Sequence, residues 1–512
     1  MLIAMPTGVP TGTHNDAVTP AAQTSDAPRI WLIFPALMLV LLLAALDQTI
    51  VSTALPTIVG ELGSPENLSW VVTAYLLSET IAVPIYGKLG DMLGRKIMLQ
   101  VAVGLFLVGS VLCGLAQNLP ELIVLRALQG LGGGGLMVTT MAAIGDVIPP
   151  AERGRYQGLF GGVFGIATIV GPLLGGFIVE HLSWRWIFYI NLPVGLICLF
   201  ILGIAFNPRT TKIRHEVDYM GALFLAGALA GVILFTSQGG TLLPWSSAQL
   251  WLTLAMGMVC VGGFIHEEQQ AKEPIIPLEL FRLHTFVVTS MMGFIVGFAL
   301  FGSVTFVPLY LQVVKGSSPS HAGMQMLPMM GGILFTSILS GFLISKIGKY
   351  RIFPIVGTSF IAIAMALFST LGTHTANLAF YAFMGLLGMG LGLVMQVLVL
   401  AVQNAVDYKH MGVATSGATL FRSIGGCVGV ATFGAIFSNG LRGRLAIVLP
   451  PDTVLPQTLG PESIRQLAEP IRTDYLHAFA ASLDVVYTVA ACVALAAFGL
   501  SWLLKNVPLR KK

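Results

Sequence analysis

The sequence predicts an all-α polytopic membrane protein, and three observations carry that expectation. Charged residues make up 10% of the chain, against about 25% in soluble globular proteins. Hydrophobic residues make up 55%, and the mean hydropathy is +0.85. The apolar residues gather into fourteen runs, most close to the ~20 residues that carry a helix across a bilayer. One membrane bundle therefore absorbs a length that would otherwise suggest several soluble domains.

The runs lie at roughly 30–51, 69–88, 97–116, 121–143, 155–180, 184–205, 219–238, 248–266, 285–312, 321–345, 350–371, 377–403, 412–437 and 477–504. Residues 1–28 are polar and rich in Pro, Thr and Ala, a composition that predicts a disordered N-terminus. The first run exceeds a signal-peptide core, contains Asp47 and is followed by more runs, so it reads as retained. An even number of spans puts both termini on one side. With the N-terminus inside, nineteen of the 27 Lys and Arg fall on inner segments, six on outer ones, and Arg126 and Arg422 within spans. That bias predicts a cell-membrane protein with both termini cytoplasmic. The five cysteines, at 113, 198, 260, 427 and 492, fall in separate runs without paired spacing. They read as packing residues rather than a disulfide or metal framework.

Charge is concentrated in Gly87-Lys88-Leu89-Gly90-Asp91-Met92-Leu93-Gly94-Arg95-Lys96, a predicted short loop between spans 2 and 3. The bland reading is a solvated turn that sets topology; the sharper one is an element locking helix ends together. Gly87 and Gly94 recur as Gly341 and Gly348, offset by 254. This weak repeat predicts two six-span halves with spans 7 and 8 inserted, an organisation typical of transporters. The expected division is 29–206, 207–284 and 285–505, with an outer loop at 438–476, a short helix at Pro461–Glu469 and a basic tail at 506–512. Ser345 stands where the first copy has Asp91, so the acid is not needed merely to turn the chain. Asp91 is expected to accept hydrogen bonds at the inner helix ends when the outer side is open, a helix-start dipole being one partner. Arg95 is expected to pair nearby.

Ionic residues inside the spans are the candidates for chemistry. Asp47 is expected near the outer end of span 1 and Glu79 near the middle of span 2. A carboxyl shut away from water resists ionisation, so it can bind and release a proton, and its anion attracts cations. The plainer reading of each is a hydrogen-bonded packing residue. Arg126, early in span 4, needs an acid on span 1 or 2 as partner unless it snorkels to the interface. If paired, protonation of that acid would bias a two-state bundle. Arg422, at the inner end of span 13, reads as a phosphate-facing or loop-capping residue ahead of one with a proton role. The glycines of Gly130 to Gly135 permit close helix approach. No Gly-Lys-Ser/Thr follows them, so a nucleotide-driven pump is unsupported. In span 5, Gly171-Pro172-Leu173-Leu174-Gly175-Gly176 combines a possible kink with room for a neighbour. The 21 Met and 29 Phe are expected mainly in packing or facing lipid, with some lining an adaptable cavity.

Taken together, these stretches resemble the major facilitator superfamily. Residues 87–96 are similar to its signature. Leu46 to Pro56, the Arg126–Gln129–Gly130 stretch and the Gly171 to Gly176 stretch resemble its drug-exporter motifs. Trp184 to Pro193 resembles the fourteen-span EmrB/QacA-type drug:proton antiporters, and the resemblance covers roughly residues 30–510. It implies the major facilitator fold, with 14 transmembrane helices. It also implies proton-coupling positions at Asp47 and Arg126, and a cytoplasmic gate of Gly87, Asp91, Gly94, Arg95 and Lys96. Gly171, Pro172, Gly175 and Gly176 would form the antiporter motif. Ala167 departs from a pattern that often has Gly, which would stiffen span 5. Glu79 rests on the physical reasoning alone.

The expected activity is proton-coupled efflux of amphipathic or cationic small molecules by alternating access, without enzyme activity, cofactor or metal. The expected partners are substrate, protons and the bilayer, and not nucleic acid; nothing specifies accessory export proteins. Two other readings stay open: a dedicated exporter of one metabolite, antibiotic or lipid, and a membrane sensor or scaffold that does not transport. No nucleophile–base or metal-ligand constellation supports a membrane enzyme.

Overall fold

The computed structural model describes residues 30–62, 68–148, 150–205, 218–239, 243–272, 274–304, 306–317, 319–407, 410–448, 464, 468–469 and 471–505. Every apolar run falls on helix. The first six runs form α1 (Ile30–Leu62), α2 (Leu68–Leu93), α3 (Arg95–Leu115), α4 (Leu119–Val147), α5 (Pro150–His181), and α6 (Trp186–Tyr189) with α7 (Asn191–Ala205). The next two form α8 (Tyr219–Gln238) and α9 (Ala248–Gln270). The remainder form α10 (His284–Val304), α11 (Phe306–Leu309), α12 (Pro319–Gln325), α13 (Leu327–Ile347), α14 (Ile352–Phe368), α15 (Asn377–Ala405), α16 (Met411–Val448) and α17 (Ile471–Ser501). Among the described residues, eleven helices are long and apolar enough to cross a membrane, and two more apolar helices, His284–Leu300 and Ile352–Phe368, are shorter.

Two large apolar cores form, with two smaller clusters beside them. One gathers Ile33, Leu99, Phe106 and Leu136 from α1, α3 and α4. The other gathers Met292, Phe368, Leu387 and Tyr487 from α10, α14, α15 and α17. In the first group α1 packs on α4, α5 and α7, and α4 packs on α2 and α3. In the second, α10 packs on α16 and α17, and α15 on α13 and α14. Two seams join the groups: α5 lies against α13, and α2 against α16. The pair α8–α9 leans on the second seam through α8. Burial of apolar side chains does not distinguish these helices from lipid-facing ones, so small residues set the close approaches. An added Cβ at Gly132 would stand 2.7 Å from the Phe106 Cα, and one at Gly109 would stand 2.6 Å from the Gln129 Cα.

Helix ends follow local chemistry. Asn118 caps α4 by accepting from the Glu121 N–H at 2.9 Å, while Glu121 reaches back to the Gln117 N–H at 2.9 Å. Asp218 caps α8 through the Gly221 N–H at 2.7 Å. The repeated glycines both take a positive φ, Gly94 at 93° ahead of α3 and Gly348 at 74° at the end of α13. Both lie in the left-handed region that a Cβ disfavours.

The structure corrects several boundaries. Residues 87–93 are not loop: α2 runs through Leu93, and Gly94 alone separates it from α3. Asp47 lies in the middle of α1, because that helix continues to Leu62. Residues 438–448 and 471–476 of the expected outer loop are helical, belonging to α16 and α17. The ninth run is helical through Val304 and again from Phe306, and ends in a π-helical turn at Tyr310–Val314. The terminal segments 1–28 and 506–512 lie outside the described residues, as does most of Pro461–Glu469.

Candidate functional site

The first half encloses a polar network built from four helices. Asp47 on α1 is 1% exposed and Arg126 on α4 is 2% exposed. An Arg126 Nη donates to the Asp47 carboxylate at 2.8 Å. The same nitrogen donates to Gln129 Oε1 at 2.6 Å, and Gln129 Nε2 donates back to Asp47 at 2.8 Å. Residues 126 and 129 meet in this way because they are one helical turn apart. Ser110 on α3 accepts from Gln129 at 2.8 Å, and Asn191 on α7 donates to Asp47 at 3.0 Å and to Ser110 at 3.2 Å. The Arg126 guanidinium also lies over the Tyr75 ring of α2, 4.1 Å from its centroid. A buried ion pair is tolerated only when its remaining lone pairs and protons find partners. Here two amides and a hydroxyl supply partners, while Arg126 Nε and the Tyr75 hydroxyl have no hydrogen-bond partner among the described residues.

Glu79 stands apart from this network. It is half-buried on α2, and both its oxygens accept from Gln48 Nε2 of α1 at 3.1 Å. Of the two acids expected as partner for Arg126, the structure therefore selects Asp47. Next to them Thr49 donates to the Ala167 carbonyl of α5 at 3.1 Å. Gly171 lets these helices meet, because a Cβ there would stand 2.6 Å from the Thr49 Cβ. Pro172, Gly175 and Gly176 lie on the same helix. Gly130 faces Tyr75 and Ser78, so α2 and α4 approach through it.

A second constellation joins the two groups of helices at the Gly94 end of α2. The Asp91 carboxylate accepts from the backbone N–H of Gly412 at 3.2 Å and of Val413 at 3.0 Å, at the start of α16. Those N–H groups have no intrahelical acceptors and carry the positive end of the helix dipole. Arg95 forms an ion pair with Asp91, donates to Asp146 of α4 at 2.9 Å, and reaches the Gly87 carbonyl at 3.3 Å. A Cβ at Gly87 would stand 2.6 Å from the Ser416 Cβ, so this glycine also permits the seam. Lys96 is turned elsewhere, donating to the Gly203 carbonyl of α7 at 2.8 Å. Gln403 of α15 spans the groups too, donating to the Met141 carbonyl of α4 at 3.3 Å.

Arg422 differs from its expectation: it is 8% exposed, packed against α10, and caps no loop. Sequence reading also missed Ser110, Asn191, Asp146, Gln48 and Gln403. Asp146 carried a signal, an acid at the inner end of an apolar run; Ser110 carried none.

The family model of the Major Facilitator Superfamily matches residues 37–430, and the chain belongs to that superfamily. It is a multi-pass membrane transporter of small molecules and not an enzyme. It is 44% identical over 479 residues to an uncharacterized MFS-type transporter of Mycobacterium tuberculosis, covering 93% of this chain and 70% of that protein. It is 40% identical over 415 residues to the multidrug transporter protein MdtP of Bacillus subtilis, covering 81% and 76%. The structure of the proton:xylose symporter XylE matches with a TM-score of 0.63 at 16% identity, covering 94% of this chain and 97% of that one. Among the described residues no group of three or more His, Cys, Asp or Glu side chains is placed to hold a metal ion.

Proposed function

We propose that the chain is a proton-coupled exporter of amphipathic or cationic small molecules, with fourteen spans and both termini cytoplasmic. The observation that carries this reading is the Asp47–Arg126 pair, sealed inside four packed helices at 2.8 Å. Protonating Asp47 removes one partner and leaves Arg126 charged and buried, a strongly unfavourable change. The half therefore has two packings whose balance a proton can tip. Asp91, Arg95 and Asp146 form the gate: while Asp91 holds the start of α16, the α2–α16 seam is closed at that end. Glu79, close to the same seam, is the cation-attracting group. Residues 29–206 and 285–505 move as the two halves, with 207–284 carried between them. The name of the Bacillus relative favours a broad over a dedicated substrate range.

The test is efflux from proteoliposomes of purified protein under an imposed pH gradient, with ethidium as cationic probe. Gradient-dependent ethidium movement that disappears in Asp47→Asn is expected. Equal movement with and without the gradient would exclude proton coupling.

A further inference from the structure

The first half holds its deeply buried charge in a pair, whereas the second holds one that has no partner among the described residues. Arg422 on α16 is 8% exposed and, among the described residues, forms no hydrogen bond or ion pair. Its stem lies across α10, where Gly293 and Gly297 leave room: an added Cβ would stand 3.7 Å from the Arg422 Cβ and 3.2 Å from its Cγ, respectively. Its side chain lines a cavity of about 10 Å³ together with Thr289, Val394, Met395, Leu398 and Thr419, room for one small polar group. Both threonine hydroxyls donate to their own helices, Thr289 to the Thr285 carbonyl at 2.7 Å and Thr419 to the Thr415 carbonyl at 2.9 Å. Among these lining side chains the guanidinium is therefore the one with hydrogen-bond donors to spare. Glu79, on α2 across the α2–α16 seam, is bound to Gln48 and forms no ion pair with Arg422 among the described residues.

Burying a cation without a partner is strongly unfavourable. The surrounding wall offers apolar contact and no anion. We propose that Arg422 is an anion-recognising group of the translocation path, taking the carboxylate of an amphipathic substrate while Val394, Met395 and Leu398 take its hydrocarbon body. The planar guanidinium matches a carboxylate bidentately. The cavity lies between α10, α15 and α16, and admitting the rest of the molecule requires these helices to part. This rests on the exporter reading and adds to its substrates amphiphiles that carry a carboxylate, zwitterions included.

The experiment is equilibrium binding to the purified full chain in nanodiscs, without a gradient, using three fluorescent probes: pyrenebutyrate, its methyl ester and pyrenebutyl-trimethylammonium. Arg422→Gln should weaken pyrenebutyrate at least about tenfold, the effect of one lost charge-assisted contact, and leave the other two within about twofold. Arg422→Lys should fall between. An unchanged pyrenebutyrate affinity in Arg422→Gln, an equal loss for all three probes, or no pyrenebutyrate binding by the unsubstituted protein would overturn the proposal. Arg422-dependent binding together with gradient-independent efflux would remove proton coupling and leave the anion site standing.

Discussion

Asp91→Asn should loosen the closed end of the α2–α16 seam while leaving the fold intact. The carboxylate accepts from two backbone N–H groups of α16, at 3.2 and 3.0 Å, and from Arg95. Asparagine keeps the shape and one acceptor oxygen, but loses the charge and turns an NH₂ toward a donor. A hydrogen bond to a charged group contributes about 1.5–3 kcal/mol, and the helix-start dipole adds about 0.3–1 kcal/mol. Arg95 retains Asp146 at 2.9 Å, so no cation is left unpaired. A net loss of about 2 kcal/mol is expected, moving the balance of conformations roughly thirtyfold toward the state open at that end. The assay is electron–electron double resonance between spin labels at positions 93 and 347. Leu93 and Ile347 are exposed at the corresponding ends of α2 and α13, in a background freed of the five native cysteines. A longer-distance population should grow in the variant. An unchanged distance distribution would refute the gate and return residues 87–96 to a topological role.

Asp47→Asn should destabilise the protein by about 3–5 kcal/mol, because Arg126 is left buried without its counter-ion; thermal unfolding in detergent measures this. Adding Arg126→Gln should recover part of that loss, so the double variant will fall short of the sum of the singles. Gly130→Ala would place a Cβ 3.1 Å from the Tyr75 carbonyl carbon, wedging α2 from α4 at a cost of about 1–3 kcal/mol in the same assay. Gly348→Ala, at φ 74°, should cost about 1–2 kcal/mol.

The elements that repeat along the chain were legible in the sequence. Hydropathy marks helices because a backbone in lipid must satisfy its own hydrogen bonds, and each of the fourteen runs lies on helix. Boundaries were less legible where polar residues extend a helix beyond its apolar run, as at Leu93 and Val448. The repeat of Gly94 at Gly348 was readable because a left-handed residue selects glycine wherever it occurs. Asp47 and Arg126 stood out singly, since ionic residues are costly in spans. That Arg126 needs an acid of span 1 or 2 was legible too; which acid was not, because it is set by helix packing and not by separation in sequence. Ser110 and Asn191 were silent for a related reason: small polar residues in spans usually bond to their own helix. The burial of Arg422 was hidden by its place near a span end, where arginine ordinarily reaches water.

The contact that closes the α2–α16 seam has a side chain on only one partner. Asp91 grips the main chain of α16, at Gly412 and Val413, and that main chain is present whatever residues are encoded there. The inheritance of the lock is therefore one-sided. A lost acid at 91 leaves no charge-swap partner on α16 for a compensating mutation to change, and at 413 proline is the substitution that deletes a donor outright. Genetic suppressors of an Asp91 defect are thus expected at distant seam contacts, such as the Gln403 bond to Met141, rather than opposite the lesion.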